Sequence, residues 1–165
     1  MPFAESLLKI VGRHLSWSQL KIGFNVQTPR VVYFKERQIW WTSLGENIGV
    51  EQNGKNCNFE RPVVILKKFS QDSFWALPIS SQGKVGKYYH AFTREGRAFC
   101  INLSQIRLLS SKRLLRLIGD LDLTDYRTVR NTVKDFLEIN DPPTGGSRNP
   151  DFRQDHNVIT DYLEK

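Results

Sequence analysis

Between Arg37 and Asn102 the apolar residues fall in short runs, each broken by glycine, proline or charge, a pattern that predicts strands rather than helices. The run RQIWWTSL (37–44) is rich in β-formers. RPVVILKK (61–68) is apolar at successive positions, so both of its faces are expected to be buried. SFWALPIS (73–80), YYHAFT (88–93) and AFCIN (98–102) read as three more strands. The last two join across Arg94–Arg97, where Gly96 permits a tight turn. Gln105–Leu108 continues β-like. The periodicity then changes. Ser110 or Ser111 is placed to cap a helical turn through Lys112–Leu115, a stretch that Gly119 ends. From Thr124, a second predicted cap, Tyr126, Val129, Val133, Phe136 and Leu137 share one helical face while Arg127, Arg130 and Lys134 fall elsewhere. Asn140-Asp141-Pro142-Pro143 is expected to stop this helix.

Before Arg37 the pattern is weaker. Phe3, Leu7, Leu8 and Val11 suit a short amphipathic helix from Pro2 to about Gly12, and Val31–Phe34 suits a short strand. After Asp141 the composition turns to Pro, Gly, Asn and charge, with Val158–Leu163 as a candidate docking element. The chain therefore divides into an N-terminal extension (1–36), a main domain (37–140) and a polar tail (141–165). Short strands closed by a helix predict a mainly β protein: a small β-barrel with a C-terminal amphipathic helix. One segment stands out. Gly45–Glu60 carries three glycines and several amides, and a loop this long within a compact domain points to function.

Composition narrows the choice. At 165 residues, with 12% aromatic residues, the chain suits one domain with a real core. Its net charge of +7 favours a polyanionic partner, nucleic acid above all. The two cysteines, Cys57 and Cys100, form no CxxC pair, and His14, His90 and His156 are scattered, so zinc-finger spacing is excluded and no metal or cofactor is expected. Cys100 lies in an apolar run and reads as a core residue. No apolar stretch is long enough to span a bilayer, and Glu5, Lys9, Arg13 and His14 interrupt the N-terminus, unlike a signal peptide. The expectation is a cytoplasmic protein without membrane contact.

Four blocks occur in order: IWWTSLGENIGVEQNGK (39–55), RPVVIL (61–66), LPIS (77–80) and LSQIRLLSSKRLLRLIG (103–119). Together they resemble the MazF/PemK family of toxins from type II toxin–antitoxin systems, over roughly residues 37–139. The resemblance implies an SH3-like barrel, a homodimer, cleavage of single-stranded RNA at short specific sequences, and a cognate antitoxin that blocks the RNA site. Two departures are visible. The segment KNCNFE (55–60) lengthens the first loop, and Ser104 stands where some relatives carry an Asp before the Gln-Ile-Arg segment.

RNA carries its own nucleophile: the 2′-hydroxyl attacks the adjacent phosphorus and expels the 5′-oxygen. A protein has only to move protons and stabilise phosphoryl charge, which requires no cofactor. Arg61, matching the family's Arg before Pro, is the first candidate, since a guanidinium forks onto two phosphate oxygens. Ser80, matching the residue that ends the third strand, could hold a phosphate oxygen or orient the 2′-hydroxyl, with Ser81 beside it. Asn47, Glu51, Gln52 and Lys55 in the long loop, with Gln105 and Arg107 in the last block, are candidate RNA contacts; Glu51 could instead orient Arg61. Trp40 and Trp41 face opposite sides of a strand, one toward the core and the other free to stack a base or fill an interface. His90 is a conceivable general base, and Lys112, Arg113 and Arg116 could track phosphates or form a solvated face. A non-catalytic barrel that binds nucleic acid, or a protein target such as gyrase, is the rival reading.

Overall fold

The computed structural model describes residues 2–26 and 31–138. Helix α1 (Pro2–Val26) precedes seven antiparallel strands: β1 (Gln38–Ser43), β2 (Glu60–Lys68), β3 (Ser73–Ser80), β4 (Tyr89–Arg94), β5 (Arg97–Asn102), β6 (Arg107–Ser110) and β7 (Leu114–Asp120). Helix α2 (Leu123–Leu137) follows. The strands run β4-β5-β3-β2-β1-β7, and β6 adds to β3 beside this path. The order follows from short connections: β4 and β5 turn at Glu95-Gly96, both at positive φ, as the Gly96 turn requires.

β2 is the central strand, and its sequence explains why. Val64 and Leu66 point into one core with Ile39, Leu77, Ile79, Ile101 and, from α2, Tyr126, Val129 and Val133. Val63 and Ile65 point into the other, with Phe34, Trp40, Leu44, Phe74, Leu109 and Leu114. Successive strand residues face opposite ways, so an uninterrupted apolar run needs a core on each side. Trp40 is the buried member of the tryptophan pair; Trp41, on the other face, is half-buried beneath Arg116.

Several expectations are corrected. The predicted barrel does not close: β4 and β7 remain the ends of an open order, with no ladder between them. A side chain spans that gap instead. Arg94 of β4 donates to the backbone carbonyls of Ile118 and Asp120 on β7, at 3.0 and 3.2 Å. It can do so because Gly119 stands at a register shift opposite β1, where a Cβ would lie 2.4 Å from the Arg94 guanidinium. The helical turn expected over Lys112–Leu115 is confined to a short 3₁₀ turn, Ser111–Arg113, capped by Ser110; Leu114 already begins β7, which pairs with β1. Val31–Phe34 is not a strand, although Phe34 is in the core. The cap of α2 is Asp122, two residues before the predicted cap Thr124, and its side chain accepts from Thr124 N. The expected stop at Asn140–Pro143 and the docking element at Val158–Leu163 lie outside the described residues.

The largest correction concerns α1, which runs 25 residues rather than ending near Gly12. No proline interrupts residues 13–26. Ile10, Arg13, Trp17 and Phe24 recur at spacings of three, four and seven along one face, as a helix requires. The other side carries Leu8, Val11, Leu15 and Ile22, all exposed. Among the described residues, no helix is long and apolar enough to cross a membrane.

Candidate active site at the loop from Gly45 to Glu60

β2 and β3 place the two principal candidates. Their register pairs Val64 with Leu77 and Val63 with Pro78, and the ladder ends there, two residues short of Arg61 and of Ser80. β3 leaves β2 at that point: Ile79 and Ser80 pair instead with Ile101 and Cys100 of β5. The two side chains thus end neighbouring strands where the strands diverge. Ser80 Oγ accepts the Gln82 backbone N–H at 3.1 Å, leaving its own hydroxyl proton available. Ser81 is exposed beside it.

Arg61 is half-buried, and burial lowers its guanidinium below the ordinary arginine range. Its Nε donates to the Asn53 carbonyl at 2.8 Å. With the Gln52 amide oriented so that its oxygen faces the guanidinium, that oxygen accepts from Nη1 and Nη2 at 2.9 and 3.2 Å. Glu60 does not pair with Arg61. It makes a two-pronged contact with Arg116, at 2.9 Å for each bond, and this contact holds the Glu60 carboxyl below its usual range. Glu51 turns back on its own loop, accepting the Ile48 N–H.

The loop is a folded object, held from both ends. Asn47 Nδ2 donates to the Gln52 carbonyl, and Asn47 N donates to Asn53 Oδ1. Gln105 staples the tip: its Oε1 accepts from Gln52 N at 2.7 Å and its Nε2 donates to the Val50 carbonyl at 2.8 Å. Arg107 Nη2 reaches Asn47 Oδ1 at 3.2 Å, whereas Arg107 Nη1 is buried without a partner. Four of the predicted RNA contacts, Asn47, Gln52, Gln105 and Arg107, are therefore brought together, and they bind one another. Lys55 is exposed at the rim, near the exposed thiol of Cys57. The other cysteine, Cys100, is buried, its Sγ donating to the Gln82 carbonyl.

At the base of the loop Phe59 adopts φ +46, a left-handed conformation that a bulky residue rarely takes. Gly54 makes this possible, since a Cβ there would overlap the Phe59 backbone. The turn is capped from outside by Trp17 of α1, which is 6% exposed. Its ring packs 5.6 Å from that of Phe59 and beneath the Arg113 guanidinium. Gly45 is its floor: a Cβ there would lie 2.4 Å from the indole. One turn earlier, Arg13 Nε donates to Glu46 Oε2 at 2.8 Å.

The profile of the PemK-like, MazF-like toxins of type II toxin–antitoxin systems matches residues 35–137. The chain belongs to that family. MazF from Deinococcus radiodurans superimposes with a TM-score of 0.53 at 17% identity, over 66% of this chain and 98% of that one. An endoribonuclease from a mycobacterial species, solved with its cognate antitoxin, gives 0.50 at 12% identity, over 65% and 97%. At such identities the likeness is one of fold. No curated protein sequence matches. Helix α1 precedes the matched residues, so its docking on the loop is an addition to the MazF-like domain.

In this MazF-like domain a groove of about 360 Å³ runs beside the loop, lined by Val50, Glu51, Ser104, Gln105, Ile106 and Arg107. The Ser104 hydroxyl donates to Asn102 Oδ1, so no carboxylate enters at that position. His90 lies elsewhere: its Nε2 meets Asp125 of α2 at 2.8 Å and ties helix to sheet. The basic cluster also divides. Arg113 donates to the Ser43 carbonyl, and burial first, then the charge of Arg107, lowers its guanidinium. Arg116 is engaged by Glu60. The residues that sequence reasoning missed are Arg13 and Trp17; their signal was the spacing they share with Ile10 and Phe24.

Proposed function

We propose that this chain is a toxin endoribonuclease that cleaves single-stranded RNA at short specific sequences, by metal-independent attack of the 2′-hydroxyl. Family membership supports the class of activity. The observation that carries the site is the end of the β2–β3 pair, where Arg61 and Ser80 stand on adjacent strands at the point of divergence. The Gln52 amide oxygen already occupies the fork of Arg61. A phosphoryl oxygen is a stronger acceptor for the same two N–H groups, and in the reactive complex it takes that place. The guanidinium then stabilises the charge that builds on the phosphoryl oxygens as the 2′-hydroxyl gives its proton to solvent and attacks, closing the cyclic phosphate, and the 5′-oxygen leaves with a proton from solvent. Ser80 donates a hydrogen bond to a second phosphate oxygen. Bases lie in the groove along Gln105 and Arg107, with Asn47, Glu51, Gln52, Lys55 and Ser81 around them. The active form is a homodimer in the cytoplasm, neutralised by a cognate antitoxin.

The test uses purified protein, single-stranded RNA and EDTA. Cuts at a short sequence are expected, leaving cyclic phosphate or 3′-phosphate ends. Arg61→Ala should lower the rate about a hundredfold, or about 3 kcal/mol, the size typical of a removed electrostatic donor. A requirement for magnesium, or full activity in that variant, would refute the mechanism. Tight RNA binding without cleavage would favour a non-catalytic module.

A further inference from the structure

The geometry points to Arg13 and Trp17 of α1 as positioning residues for Arg61, Arg13 acting through Glu46 and Asn53 and Trp17 through Gly45 and Phe59; the inference rests on the nuclease reading above. Three contacts run from Arg13 to Arg61, and a fourth fixes the Asn53 side chain between them. Arg13 Nε donates to Glu46 Oε2 at 2.8 Å. The other oxygen, Glu46 Oε1, accepts from Asn53 Nδ2 at 3.1 Å. The Asn53 side chain is thereby fixed, and its Oδ1 receives the Asn47 N–H at 2.6 Å. The Asn53 backbone carbonyl then accepts Arg61 Nε at 2.8 Å.

The chemistry of the last bond gives the relay its purpose. A guanidinium is planar, so anchoring Nε sets the plane in which Nη1 and Nη2 are presented. Those two nitrogens are the ones held by the Gln52 oxygen. Gln52 can leave to admit a phosphate while Asn53 keeps the plane. Trp17 fixes the other end of the same segment. It covers Gly45 and Phe59, the residues through which the loop leaves β1 and rejoins β2, and Phe59 O accepts from both Leu44 N and Gly45 N. Glu46 is the hub: its carboxylate is largely buried, with one oxygen turned to α1 and the other to Asn53. A buried carboxylate needs partners, and Arg13 is its only cationic one among the described residues. Since α1 precedes the matched family residues, this toxin has added a support to a site that the MazF-like domain itself encloses.

The experiment compares wild type, Arg13→Ala, Arg13→Lys and the exchanged pair Arg13→Glu/Glu46→Arg in the full chain. Three quantities are measured: single-turnover cleavage, binding of an RNA with a 2′-deoxy residue at the scissile position, and the ¹⁵N signal and exchange rate of Arg61 Nε–H without RNA. Arg13→Ala should lower the cleavage rate about tenfold while binding changes less than twofold, because orientation rather than affinity is lost. The Nε–H should exchange faster. Arg13→Lys should recover part of both effects, whereas the exchanged pair, which restores the ion pair but leaves Asn53 Nδ2 without an acceptor at position 46, should not; a general loss of stability would not separate the two. A cleavage rate in Arg13→Ala equal to or above wild type, or an unchanged Nε–H, overturns the relay. If wild type cuts no RNA, the nuclease reading falls by itself and the Nε–H signal alone decides the relay.

Discussion

The two helices cover the same sheet in opposite ways. α2 presents Tyr126, Val129 and Val133 to a core that takes residues from five strands, and adds the His90–Asp125 contact at its start. α1 turns its long apolar side, Leu8, Val11, Leu15 and Ile22, to water and attaches through one buried indole, one ion pair and a few polar contacts to backbone carbonyls. Burial of several branched side chains is what holds a domain together. A single aromatic anchor with a polar clasp holds a segment in place, and here the segment touches the loop around Arg61. The difference teaches that the C-terminal helix is built into the core, whereas the N-terminal one is fastened to the loop from Gly45 to Glu60.

The most forceful way to break this comparison is to place a carboxylate on each helix. Val129→Asp buries an unpaired charge at a fully enclosed position, costing about 4 kcal/mol or more. Loss of the cooperative transition in circular dichroism is expected. Leu15→Asp, on the outward side of α1, should change stability by less than about 0.5 kcal/mol. Equal effects would show that both helices carry the fold.

The strands were legible because each is a β-rich run between breakers, and β2 announced its central place by being apolar on both faces. β7 was not, since Leu114, Leu115 and Leu117 after a capping serine look helical until β1 is there to pair with them. Barrel closure depends on whether β4 meets β7, a long-range question that the Arg94 contacts answer and no local pattern contains. The strand boundaries were legible as well, with Arg61 near the start of β2 and Ser80 at the end of β3. The loop amides were correctly gathered at one place, but nothing in their spacing says that they bond to one another. Arg13 and Trp17 were hidden because α1 is apolar on its outward side as well, so its inner face did not stand out.

A sharper probe is Trp17→Ala. It should cost about 3 kcal/mol locally, seen as faster hydrogen exchange along α1 and residues 45–60 while the sheet keeps its exchange rates and melting transition. Destabilisation spread evenly through the sheet would erase the distinction drawn here.

The smallest effect concerns the polar anchor of α2. The single hydroxyl proton of Tyr126 is shared between the Leu66 carbonyl, at 2.9 Å, and Glu36, and burial, followed by the charge of Glu36, pushes its phenol up to about 12. A pKa raised by folding means that folding favours the protonated form. Its contribution is complete below the unfolded value of about 10 and is lost as pH rises toward the folded one. Tyr126→Phe should cost about 1 kcal/mol at neutral pH. Its denaturant midpoint should also fall less steeply than that of wild type above pH 10, roughly the unfolded phenol value. A parallel pH dependence in the two proteins would mean that the phenol is not what ties α2 to β2.

The two cysteines divide in a way that serves the bench. Cys100 is sealed beneath the Gln82 carbonyl, while Cys57 stands in the open between Gly54 and Phe59. A maleimide dye therefore attaches at one place without any engineered thiol, and that place is on the segment that Trp17 and Phe59 pin beside Arg61. The unmodified sequence supplies its own reporter of that segment's surroundings.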